Sequence, residues 1–69
     1  MLVDVEIWYR QKRGADYRRH GIEELEALHE AGTPMTITVD GNDRRVTVDR
    51  AARTAVSMAA VGTLWVTEA

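Results

Sequence analysis

The sequence predicts an α+β fold, a two-layer sandwich in the order β-α-β-β-α-β. A four-stranded antiparallel sheet would carry two helices on one face, in the ferredoxin-like manner. Three observations lead there. Both ends of the chain alternate apolar and polar residues with the period of a strand. Two Thr/Val-rich runs flank an Asp-Gly turn. Two intervening stretches space their apolar residues at helical intervals and stop at glycine.

The first strand runs from about Leu2 to Tyr9 or Arg10, with Val3, Val5, Ile7 and Tyr9 on one face and Asp4, Glu6 and Trp8 on the other. Gln11 to Gly21 loses periodicity and reads as a long charged connection. Ile22 to Ala31 reads as a helix. Ile22, Leu25 and Leu28 form its stripe, glutamates sit at its positive end, and Gly32-Thr33-Pro34 is the stop.

A hairpin follows, Met35 to Val39 and Arg44 to Asp49, turning at Asp40-Gly41-Asn42-Asp43. An even loop keeps apolar residues facing each other, with Ile37 opposite Val46 and Met35 opposite Val48. Asp49 then caps a second helix, Arg50 to Ala60, whose Ala52, Ala55, Val56 and Ala59 pack on the sheet. Gly62 ends it, and Thr63 to Thr67 is the last strand, with Leu64 and Val66 on one face and Trp65 among threonines. The strand order 4-1-3-2 makes the first and last strands neighbours, so Trp8 and Trp65 lie side by side on an open sheet face.

The chain has 69 residues, enough for one domain (1–69) with a core near the lower size limit. It has no cysteine, which removes disulfides, thiolate metal sites and thiol nucleophiles. With no membrane-length apolar run and no signal-like start, the expectation is a cytoplasmic protein with no membrane partner. The net charge is −2, unevenly spread. Residues 10–20 hold five Lys/Arg against one Asp, and the remainder holds four Lys/Arg against ten acids.

No catalytic pattern is present. The lone serine, Ser57, has no nucleophile elbow or triad around it, and no Gly-rich phosphate loop occurs. Glu26 and His29 have metal-ligand spacing but lack the further carboxylates that such a site requires. No enzyme activity, cofactor or metal is expected.

Two sets of residues are candidates for binding. Trp8, Trp65, Arg10 and Arg45 share the open face and are assigned to a protein partner or to a second copy, in a homodimer through that face. Lys12, Arg13, Tyr17, Arg18 and Arg19 form a basic loop suited to nucleic acid or an acidic surface. The middle of the chain resembles small phage head–tail joining proteins of the lambda W type. A helix, a hairpin with Asp40-Gly41 and Arg44-Arg45-Val46, and a helix carry this likeness, while the strands at both ends depart from it. The functional expectation is a small non-enzymatic protein that docks on another protein, a phage or mobile-element accessory such as an inhibitor of a host factor or a virion assembly component. The alternative is a nucleic-acid-binding module using the 10–20 loop.

Overall fold

A computed structural model describes all 69 residues and contains five strands and no helix. These are β1 (Val3–Arg10), β2 (Arg18–Leu25), β3 (Pro34–Val39), β4 (Asn42–Ala52) and β5 (Thr63–Glu68). They form one sheet in the order β2-β1-β5-β4-β3, curled into a half-barrel. The sheet is mixed: β1 and β5 run parallel, and the other pairs are antiparallel.

The α+β sandwich is therefore corrected to an all-β half-barrel, and the phage-joining likeness loses the two helices that carried it. Both helical segments fail for physical reasons. Ile22 to Leu25 is claimed by the free edge of β1, whose backbone needs a partner on that side. In that strand Leu25 reaches the core while Ile22 faces outward, so the helical stripe dissolves. At the second site, β4 does not stop at Asp49. It passes through a bulge and continues to Ala52, pairing Arg50 with Trp65 and Ala51 with Leu64. Residues 53–62 then form a loop, in which Thr54, Val56, Ser57, Val61 and Gly62 offset the helix propensity of its three alanines.

The hairpin forms as the Asp-Gly signal indicates, but its register differs. Asp40 and Gly41 both have positive φ, 51° and 80°, which gives a two-residue turn of the type that matches strand twist. Met35 is thus opposite Val46, and Ile37 is opposite Arg44. The parity of the loop is even, and the pairing is displaced by two residues from the expected one.

With no helix to cover it, the sheet buries its apolar face by curling around it. Val5, Ile7, Ile37, Val46, Val48, Leu64 and Val66 fill the inside of the curl. Each contributes roughly 1.5–3 kcal/mol by leaving water. Leu28, from the connection between β2 and β3, packs against this core. It lies close to Gly62, where a Cβ would stand 2.5 Å from the Ala52 carbonyl oxygen and 3.0 Å from the Leu28 side chain. Glycine at 62 is what lets the chain pass there. No helix is long and apolar enough to cross a membrane.

Candidate functional site

The outer face of the half-barrel carries the polar and aromatic residues. Parallel pairing sets Trp8 of β1 directly beside Trp65 of β5, both half-buried. They are neighbours through this parallel ladder and not through an antiparallel one. Each indole is held by a polar contact. Trp8 Nε1 donates to the Glu6 carboxylate at 2.7 Å. The Arg50 guanidinium lies over the Trp65 ring, 4.1 Å from its centroid.

Glu6 is fully buried, although alternation alone had placed it on an open face. The 53–62 loop covers it. Ser57 N donates to Glu6 Oε1 at 3.0 Å, and Val61 N donates to the Asp4 carbonyl at 2.8 Å. The Thr63 hydroxyl donates to the Thr54 carbonyl at 2.7 Å and closes the base of the loop. The hydrogen bond from Trp8 holds the Glu6 carboxyl below its ordinary value. Burial opposes this, while the Ser57 amide and the Arg19 charge at 3.9 Å reinforce it. Glu6, Trp8, Thr54, Val56 and Trp65 together line a shallow depression. At its rim Val56 is 83% exposed, and on the same loop Met58 is 102% exposed.

A second cluster lies on the same face. The β4 bulge leaves Asp49 without a partner on β5, and its carboxylate accepts hydrogen bonds from Tyr17 at 2.7 Å and from Thr67. Asp49 is therefore the acceptor of a sheet-surface network, not a helix cap. Arg10 donates from Nε to Thr67 Oγ1 at 2.8 Å, approaches Asp49 at 3.7 Å and lies over the Tyr17 ring. Burial raises the Asp49 carboxyl, but the Thr67 and Tyr17 hydrogen bonds and the nearby Arg10 and Arg13 charges outweigh it and leave it lowered. Burial and the bond to Asp49 push the Tyr17 phenol up.

The candidate residues thus separate. Arg10 and Tyr17 are structural ties that fasten the 11–17 loop to the sheet. Arg45 is exposed, and neither it nor Arg50 takes part in an ion pair. Lys12, Arg13, Arg18 and Arg19 are exposed. Lys12, Arg18 and Arg19, with His20, line a cleft of about 800 Å³ where the ends of β1, β2 and β3 approach. Sequence reasoning placed Glu6 on the face of Trp8 but missed its burial, and it missed Arg50 and the 53–62 loop as parts of the Trp surface. The signal for Arg50 was the Val48-Asp49-Arg50 bulge, and no local pattern announces a bulge.

Comparison with protein-family models, curated proteins and solved structures finds no match to this chain.

Proposed function

We propose that this is a small non-enzymatic binding protein that docks on another protein through the outer face of β1 and β5 and the 53–62 loop. The observation that carries this reading is the Trp8–Trp65 pair, held in register beside the exposed Val56, with Met58 exposed on the same loop. Fixed aromatics lose little conformational entropy on binding, and tryptophan is the residue most enriched in interface hot spots. The unpaired Arg45 and Arg50 favour a partner whose apolar contact has an acidic rim. A photo-reactive residue at Met58 should cross-link a partner in cells, and Trp65→Thr should remove that product. The same probe at Asn42 in the hairpin turn should not give it. A product indifferent to Trp65 contradicts this reading.

The basic cleft supports a second reading, nucleic-acid binding by Lys12, Arg18 and Arg19. It predicts single-strand binding that weakens steeply with salt and is lost in Arg18→Glu/Arg19→Glu. Arg50 already occupies one face of Trp65, which disfavours base stacking on that ring.

A further inference from the structure

Strand β2 is a sheet edge whose outward backbone groups are unused. It pairs only with β1, and none of the backbone hydrogen bonds outside the strand ladders involves residues 18–25. An edge of this kind is a template for another strand. The other edge, β3, opens with Pro34, which has no N–H to donate, and has no charged residue. β2 is different: Arg18 and Arg19 stand at its start and Glu23 and Glu24 towards its end.

We propose that two copies of the chain dimerise by antiparallel pairing of their β2 edges about a two-fold axis at Ile22. The register follows from the alternation of the strand. On the β1 side, Gly21 pairs with Ile7 and Arg19 with Trp8, so His20 is the extra residue of a bulge. With His20 passed over in the same way, an axis at Ile22 sets Gly21 against Glu23 and Arg19 against Glu24 of the second copy. Every pair then lies on one face. Ile22, 38% exposed, meets its symmetry mate, and an Arg19–Glu24 ion pair flanks it on each side.

A second observation points the same way. Within one chain Glu24 is directly opposite Asp4 on β1, and both belong to the outer face. Like charges in that position are unfavourable, and neither carboxylate has an ion-pair partner. Arg19 of the second copy supplies one. Its side chain is 49% exposed, and its 3.9 Å approach to Glu6 leaves most of its donors free. A parallel in-register β2 pairing would set arginines against arginines and glutamates against glutamates, so the charge pattern selects the antiparallel dimer.

Light scattering on submillimolar protein should give twice the chain mass of 7.8 kDa, falling towards the chain mass at high salt. Glu24→Arg separates the two surroundings of this residue. Beside Asp4 it removes a repulsion, so the fold is kept, while across the axis it faces Arg19, so the variant should run at the chain mass. Ile22→Lys should do the same by placing two ammonium groups at the axis. Trp65→Thr should stay dimeric, which keeps this interface distinct from the proposed docking face. A wild-type chain mass, or a dimeric Glu24→Arg variant, would overturn the proposal.

Discussion

The two faces of this sheet are built from the same strands by different physics. Inside the curl, Ile7, Leu64 and Val66 are fully buried and stabilise by area removed from water. Outside, Glu6, Asp49 and Arg10 stabilise through directed hydrogen bonds, and the aromatic area of Trp8 and Trp65 is left partly exposed. Burial of apolar area is insensitive to which chemistry lies on the other side. A chain of this size can therefore dedicate one face to folding and keep the other for contact.

This contrast is sharpest between neighbouring residues of β5. Leu64→Ala removes a fully buried side chain and should cost about 2–5 kcal/mol in urea unfolding, enough to leave the domain partly unfolded. Gly62→Ala acts at the same end of the curl. Its Cβ would meet the Ala52 carbonyl and Leu28, so either the strand or the connection must shift, at about 1–3 kcal/mol. Gly41→Val forces a β-branched residue to φ 80° and should cost roughly 1–2 kcal/mol. An unchanged unfolding midpoint in Gly41→Val would mean the turn rearranges.

Much of the inner face was legible in the sequence, because alternation assigns Val5, Ile7, Leu64 and Val66 correctly whichever elements lie between them. The adjacency of β1 and β5 was also reached, though by a topology that proved different. What was not legible is what covers the core. Ile22-Glu23-Glu24-Leu25 satisfies a helical stripe and a strand equally well, and only the unpaired edge of β1 decides between them. The alanines after Asp49 likewise read as a helix, but the bulge carries β4 through Ala51 and Ala52 and leaves Ala55, Ala59 and Ala60 in a loop. On the outer face the Trp pair was visible, but its setting was not. Glu6 is buried by residues about fifty positions away, a contact without a local sequence signal.

The outer network should show itself in acid. Glu6 and Asp49 are both held below their ordinary values of 4.5 and 3.8. A lowered carboxyl contributes stability that is full above its unfolded pKa and is lost as pH falls through the folded one. Unfolding free energy should therefore be level near neutrality and decline below about pH 4. Trp8 fluorescence should report the change as its acceptor is protonated. Stability that rises on acidification over that range would contradict the network.

The smallest expected effect on the fold is the most direct test of the division between the faces. Trp65→Thr removes the largest side chain of β5 but keeps strand propensity, and it loses chiefly the Arg50 stack. Paired urea titrations of Trp65→Thr and Leu64→Ala compare adjacent residues on opposite faces. The account predicts a loss of about 1 kcal/mol for Trp65→Thr, well below that of Leu64→Ala. A Trp65→Thr variant that unfolds as readily as Leu64→Ala would place the tryptophan in the core and contradict the assignment of the outer face to binding.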